Sequence, residues 1–344
     1  MRIKVWGARG SVPAPGPEMN RYGGNTSCVE ITLASGQSLI LDAGTGIRTL
    51  GLGLTTSPDV DIMLTHLHLD HIQGLMFFPP CFRADADITI WGPASPEASL
   101  ENRVARYISA PLSPVEVREL PCSVSFRDTP PSEWQLGSAT IRCEAVNHRG
   151  PTLGYRITEG DTTVCYIPDH EPALGMALSD TEPEWISGYD LARDADLLIH
   201  DCQYADEEYP LHVGWGHSGM SDALTFASRV GARRLLLFHH DPLHADGFLD
   251  QLHAAARRRW SELGGDPTVV AMGIEGEELE VGAARPLRAW RPQPDDARSG
   301  PRRPLARPCV LAGDFDSRYK PRSKILDTRP ETSGAGAPTF AAIR

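Results

Sequence analysis

The chain has 344 residues, 41% of them hydrophobic, with 33 Lys and Arg against 45 Asp and Glu for a net charge of −12. That supports a sizeable core, and the acidity disfavours a long polyanion such as extended RNA or DNA as a partner. No apolar run approaches the roughly 20 residues of a membrane span, the first residues alternate like a strand rather than a secretory leader, and seven scattered cysteines without a CxxC pair suit reduced thiols in a cytoplasm.

Charge is unevenly spread. Thirteen basic and six acidic residues follow position 282, so the first 282 residues carry 20 basic against 39 acidic groups, a net of −19. The Pro/Arg-rich composition of 283–344 predicts a flexible tail behind a globular body over 1–282.

A strand over 3–6 leads into the loop Gly7-Ala8-Arg9-Gly10-Ser11-Val12-Pro13, and a second loop, Arg21-Tyr22-Gly23-Gly24-Asn25-Thr26-Ser27, precedes a strand over 28–33. Glycines let backbone approach closely, so either loop can border a site or simply connect a hairpin. A strand over 38–42 ends in a Gly-rich bend, and a helix over about 47–54 returns the chain to an apolar strand, 60–64.

That strand stops at Thr65, and the next six residues contain three histidines and an aspartate: His66, His68, Asp70 and His71, with Gly74 closing the turn. His66 and His68 stand two apart, so on extended chain they point to one side and can clamp one ion as neutral imidazoles. Asp70 and His71 fall where the backbone turns and can reach a second ion. Two metals roughly 3.5–4 Å apart are a device for hydrolysis, because they lower the pKa of a bridging water and clamp the developing oxygen charge. A structural zinc usually recruits cysteines, and this stretch has none.

An apolar stretch over 75–81, broken by Pro79-Pro80, and a strand with turn over 88–93 come next. A helix is predicted over 95–108, with Arg103, Arg106 and Tyr107 solvated, and alternation predicts an exposed strand over 115–120. A strand over 139–146 runs into Asn147-His148-Arg149-Gly150; a hairpin of 155–158 and 163–168 ends in Asp169-His170-Glu171. A buried strand, 195–201, is followed by a loop over 214–220 that opens a helix to about Val230, with Ser218 or Ser221 as its cap. The last buried strand, 234–238, ends at His239-His240, before a helix over 246–263 and a strand over 268–272.

The string His66-Leu67-His68-Leu69-Asp70-His71 resembles the HxHxDH signature of the metallo-β-lactamase superfamily. The resemblance covers roughly residues 1–275 and implies an α/β fold, a four-layer αβ/βα sandwich, with the site at strand ends where two strand-rich halves meet. It implies two divalent ions on seven ligands: His66, His68 and His148 on one, Asp70, His71 and His239 on the other, and Asp169 bridging, with His240 as the alternative to His239. Zinc is the expected metal, and His/Asp sites also accept manganese or iron. Asp42 resembles the strand-end aspartate that supports the metal-binding loop through hydrogen bonds, His170 and Glu171 border the site without ligand roles, and the two early glycine loops resemble the opening of phosphodiesterase-like members.

No cysteine stands where thiolate-using branches place a ligand, and the last ligand is a histidine, a combination similar to the phosphodiesterase and ribonuclease Z-like branch. Gly216-His217-Ser218 resembles the motif that supplies a proton-donating histidine in that branch, 22 positions before the last ligand, and Asp201 stands where its orienting carboxylate falls. Catalytic roles are thus implied for Asp70, His217 and Asp201. The implied reaction is hydrolysis of a small phosphodiester, a cyclic nucleotide or cyclic ribose phosphate, by a hydroxide bridging the ions, with His217 protonating the leaving oxygen.

Other classes stay open. A thioester or lactone hydrolase would use the same ions without needing His217. A ribonuclease Z-like endoribonuclease is disfavoured by the acidic body and by the 20 residues between His148 and Asp169, which leave no basic arm. A diiron redox enzyme would need a flavin domain, and a pure binding protein would be expected to have lost ligands. A homo-oligomer is admitted; a membrane partner is not expected.

Overall fold

The computed structural model describes residues 1–54, 59–130 and 133–282, so the tail expected over 283–344 lies outside the described residues. Six strands come first: β1 (Arg2–Gly7), β2 (Cys28–Thr32), β3 (Ser38–Leu41), β4 (Asp59–Met63), β5 (Asp87–Gly92) and β6 (Ser123–Asp128). Then follow β7 (Trp134–Leu136), β8 (Ala139–Ala145), β9 (Leu153–Glu159), β10 (Thr162–Ile167), β11 (Leu197–Asp201), β12 (Leu235–Phe238) and β13 (Val270–Met272), and β14 (Glu278–Glu280) comes last. Within the described residues they form two seven-stranded sheets, ordered β14-β1-β2-β3-β4-β5-β6 and β13-β12-β11-β10-β9-β8-β7. Both are mixed: β3 to β6 run parallel, as do β10 to β13, and the other neighbours are antiparallel.

Strand alternation decides which side chain enters which layer. Val5, Ile31, Leu39 and Leu41 of the first sheet share one buried cluster with Ile157, Tyr166, Ile199 and Phe238 of the second, so the sheets stack face to face. Their outer faces are apolar as well. Ile40, Ile62 and Ile88 pack with α1 (Ile47–Gly53), α2 (Leu69–Ile72) and α3 (Leu100–Ala105) through Ile47, Ile72 and Val104. On the far side Cys165, Leu198 and Leu237 pack with α4 (Tyr189–Ala192), α5 (Met220–Arg229) and α6 (Asp246–Glu262) through Leu191, Phe226 and Leu249. The result is helix, sheet, sheet, helix: the expected four-layer sandwich. A strand such as β12 is buried on both faces and must be apolar at every position, which is why it reads as a continuous run. Each large core side chain stabilises the fold by about 1.5–3 kcal/mol.

Parallel strands bring their C-terminal ends to one edge, where such sheets place ligands. Asp42 follows β3, His66 to His71 follow β4, Asp169 follows β10, Asp201 ends β11 and His239 follows β12.

Local expectations fail in three places. Residues 115–120 are not a strand but enclose a single 3-10 turn, Val117–Glu119, held by a reciprocal bond pair between Glu116 and Glu119; Pro114 and Pro121 fence off the stretch, and β6 joins the sheet instead. The helix over 95–108 shortens to α3, because Pro93 and Pro96 hold the lead-in extended until Ser99 caps it. Nor are its polar residues all solvated: Tyr107 donates to Gln73 O at 3.0 Å, and Arg103 donates to Pro93 O. Finally α5 is opened by Gly219 with no side-chain cap, since Ser218 Oγ donates to His170 O and Ser221 Oγ to Asp206.

Among the described residues no helix is long and apolar enough to cross a membrane. Cys28, Cys81, Cys122, Cys143, Cys165 and Cys202 are free thiols.

Candidate metal centre

Seven side chains from four strand ends converge at the sandwich edge. One ligand atom from each of His66, His68, His148 and Asp169 lies within 4.8 Å of the others, and the same holds for Asp70, His71, Asp169 and His239. Asp169 belongs to both groups. Its oxygens stand 3.6 and 3.7 Å from Nε2 of His148 and His66, and 3.1 and 3.3 Å from Nε2 of His71 and His239. Asp70 Oδ2 lies 3.3 Å from His71 Nε2 and 3.2 Å from His239 Nε2. Of the seven, His68 is the exposed one, which leaves the first group open on a side. His240 belongs to neither group: it is buried elsewhere, with Nε2 bonded to Gly273 O at 2.9 Å.

Hydrogen bonds on the far ring nitrogens set how these imidazoles point. Asp42 Oδ2 is an obligate acceptor, so His71 donates to it from Nδ1 at 2.8 Å. His239 Nδ1 likewise donates to Gln203 Oε1 at 2.9 Å, His148 Nδ1 to Gly216 O at 2.7 Å, and His66 Nδ1 to Thr65 Oγ at 3.0 Å, the threonine proton itself going to Asp42. Each of the four therefore turns Nε2 inward, where His148 meets His68 Nδ1 at 3.2 Å and His239 meets Asp70 Oδ2 at 3.2 Å.

That arrangement tests whether metal fits. His71 Nε2 and His239 Nε2 face each other at 3.4 Å with carboxylate oxygens beside them. His66 Nε2 and Asp169 Oδ1 are buried without a hydrogen-bond partner, and His71 Nε2 lies 3.1 Å from the latter. Lone pairs and carboxylates so converged repel one another, and buried polar atoms without partners are costly. Divalent cations would supply the missing partners, and the imidazole and carboxylate donor set suits them.

Charge bears this out. Burial raises the carboxyls of Asp169 and Asp70, but the surrounding histidines outweigh it and hold both well below the usual carboxylate range. Burial keeps His66, His68 and His148 below the ordinary histidine value, in the neutral form that an imidazole needs to bind metal. For His71 and His239 burial is outweighed by Asp169 and Asp70, which draw positive charge to that side of the cluster.

Strain marks the same place. Asp42, His239 and Ser11 have φ of 59°, 61° and 62°, a left-handed backbone that costs roughly 1–3 kcal/mol in residues other than glycine and that rigid surroundings must impose. The early loop borders the site as one of its two sequence readings had it. Ser11 N–H donates to Asp70 Oδ2 at 2.7 Å, and Gly10 lies so close to the His239 ring that a Cβ there would collide with it.

His217 stands against both groups. Its Nδ1 is 2.7 Å from Asp201 Oδ2, its ring stacks on His239 with centres 4.9 Å apart, and its edge meets His148 at 4.8 Å. Asp201 also accepts from the N–H groups of His170, Gln203 and Ser218. Asp201, His217 and His239 form a third close group, but it shares His239 with the second and is built around the Asp–His pair.

Sequence reasoning missed Gln203, Thr65 and the anchoring role of Glu171. Glu171 is fully buried and accepts from Gly214 N–H, Gly216 N–H and Tyr209 Oη–H, fixing the loop that carries His217 and the carbonyl behind His148. These residue types have no periodic signature; only strand-end position could have flagged them.

A beta-lactamase superfamily domain matches residues 38–240, a span that runs from β3 through His239 and His240. The chain belongs to the metallo-β-lactamase superfamily. Among curated relatives, a ribonuclease Z of Kineococcus radiotolerans is 29% identical over 265 residues, which are 67% of this chain and 82% of that protein. Among solved structures, the metallo-β-lactamase fold protein YhfI of Bacillus subtilis superposes with a TM-score of 0.57 at 22% identity, covering 81% of this chain and 99% of that one. Human tRNase Z, short form, gives 0.57 at 20%, covering 82% and 100%. With its buried His/Asp cluster, this superfamily member is a metal-dependent hydrolase.

Proposed function

We propose that the protein is a phosphodiesterase acting on a small phosphodiester, a cyclic nucleotide or a cyclic ribose phosphate. His217 carries this reading: an imidazole pinned by Asp201 that touches a member of each ligand group without belonging to the bridged pair. Phosphodiester cleavage expels an alkoxide that needs a proton. A thioester releases a thiolate, which leaves readily without one.

In this reading His66, His68 and His148 would hold one divalent ion, Asp70, His71 and His239 the other, and Asp169 both; zinc is the proposed metal, with manganese or iron as substitutes. Such ions, when bound, lower the pKa of water and offset charge on the phosphoryl oxygens. The chain does the rest. Asp42, Thr65, Gln203 and the Gly216 carbonyl keep the lone pairs aimed. His217 delivers a proton from Nε2 to the leaving oxygen, and Asp201 holds its ring in place. The free thiols fit a reducing cytoplasm.

A ribonuclease Z-like endoribonuclease is the second reading, favoured by the curated relatives. Against it stand the net −19 of the first 282 residues and the short span from His148 to Asp169, which β9 and β10 fill as a hairpin without an inserted arm.

The test is cleavage of 2′,3′-cyclic AMP and bis-p-nitrophenyl phosphate by metal-reconstituted protein, beside a thioester, a lactone and a precursor tRNA. Diester cleavage well above ester cleavage is expected. Activity confined to the carboxylic esters, or to the tRNA, would replace this reading with the corresponding alternative.

A further inference from the structure

The loop between the 3-10 turn Tyr209–Leu211 and α5 carries more apolar surface than a connection needs. Trp215 is 54% exposed, and Leu211 and Val213 beside it are exposed as well. This is not a frayed segment: the Glu171 carboxylate accepts from Gly214, Gly216 and Tyr209, so the loop is held from beneath. Trp215 also has an aromatic support. Its ring meets His212 at 4.9 Å edge to face, and His212 stacks on Tyr204 at 4.2 Å, whose other neighbour is His217. The chain thus holds a preorganised indole at the surface, two residues before His217 and next to the Gly216 carbonyl that orients His148.

A cation reaches the same loop from the connection between β8 and β9. Arg149 follows His148, is exposed, and donates from Nε to Gly214 O at 3.3 Å. Among the described residues it forms no ion pair, so the far end of its guanidinium is free in a body that is otherwise strongly acidic. A fixed aromatic face and an unpaired guanidinium flanking a centre suited to a phosphate ester match the two chemically distinct ends of a nucleotide.

We infer that Trp215 and Arg149 form a nucleotide subsite at the rim of the metal centre, with the base stacked on Trp215 and Arg149 taking a phosphate oxygen. The inference rests on the phosphodiesterase reading and narrows it: the substrate carries a planar base, so bare cyclic ribose phosphates are the poorer ligands. A second copy of the chain is the competing occupant of this apolar rim. Arg149 favours the nucleotide, because a free cation beside an apolar face suits a phosphate and gains nothing from an identical surface.

The test is calorimetric titration of the full-length, metal-loaded protein with adenosine 5′-monophosphate, ribose 5-phosphate and inorganic phosphate. AMP is expected to bind at least about tenfold tighter than ribose 5-phosphate, a gap of about 1.4 kcal/mol. Trp215→Ala should close that gap while leaving inorganic phosphate affinity in place, and Trp215→Phe should keep most of it. Arg149→Ala should weaken AMP and ribose 5-phosphate by a similar factor. Equal binding of the two by the wild type would overturn the subsite. So would a Trp215→Ala loss shared by all three ligands, or a wild-type dimer that Trp215→Ala dissociates. Cleavage of bis-p-nitrophenyl phosphate, scored on the same samples, separates the two levels: an AMP preference without cleavage sinks the hydrolytic reading alone, and cleavage without preference sinks the subsite alone.

Discussion

His217 and His239 lie nearly parallel, 16° between planes and 4.9 Å between ring centres, while Asp201 grips His217 at Nδ1 from 2.7 Å. One imidazole of that stack points a lone pair into the cluster; the other has its Nδ1 committed to a carboxylate and its Nε2 left for chemistry. A histidine that donates a proton should matter in proportion to how badly the leaving group needs one. His217→Ala is expected to slow cleavage of 2′,3′-cyclic AMP, which expels an alkoxide, by about 10²-fold or more. Bis-p-nitrophenyl phosphate, which expels a stable phenolate, should lose far less, with metal content unchanged. Equal losses on the two substrates would make His217 a scaffold residue.

Gln203 is the buried acceptor that holds His239 Nδ1 and keeps its Nε2 facing the cluster. Gln203→Leu should release that ring and weaken the second group, lowering affinity for one of two ions by about 10–100-fold in a chelator competition. Gln203→Glu keeps an acceptor at the same reach and should recover much of the loss. Two ions that respond alike to Gln203→Leu would remove the residue from this role.

Asp42 is the hub behind the histidine run. It accepts from Thr65 N–H, the Thr65 hydroxyl, His71 Nδ1 and the Tyr166 hydroxyl, all buried. Asp42→Ala leaves several buried donors without a partner at about 1–3 kcal/mol each. With four donors affected, a fall in Tm of at least roughly 8 °C is expected, at about 2–4 °C per kcal/mol for a body of this size. Asp42→Asn retains an acceptor and tolerates the left-handed backbone, so it should fall less.

Much of this site was legible in the spacing of His66, His68, Asp70 and His71, because ligands crowded behind one strand have few other uses. His148, Asp169 and His239 were legible only through resemblance; singly, each is an ordinary strand-end residue. What orients them was not. A backbone carbonyl at Gly216 has no sequence signature, and Gln203 reaches His239 across 36 positions through a parallel strand pair. The fold was legible where strands are buried on both faces, as at β4, β11 and β12. It failed at 115–120, where local alternation also fits a 3-10 turn between prolines, and at β6, whose half-exposed residues gave little apolar contrast.

Stability should carry a pH signature away from the centre. Burial pushes the Glu277 carboxyl up to about 7, and its Oε2 is buried without a hydrogen-bond partner. A folded pKa above the unfolded one means the folded chain binds the extra proton. The associated stability is therefore full below about pH 4, near the unfolded pKa, and lost as pH rises through about 7. Glu277→Gln should match wild type near pH 5 and be more stable at pH 8, by an amount of order 2 kcal/mol. Thermal unfolding at both pH values checks this, and a gain confined to pH 5 would reverse the sign.

The central claim is a two-ion centre bridged by Asp169, and metal content per chain after reconstitution and gel filtration tests it most directly. Two ions are expected in the wild type and in His217→Ala, with Asp169→Ala retaining at most one. A single ion in the wild type, or two in Asp169→Ala, would contradict the bridged centre.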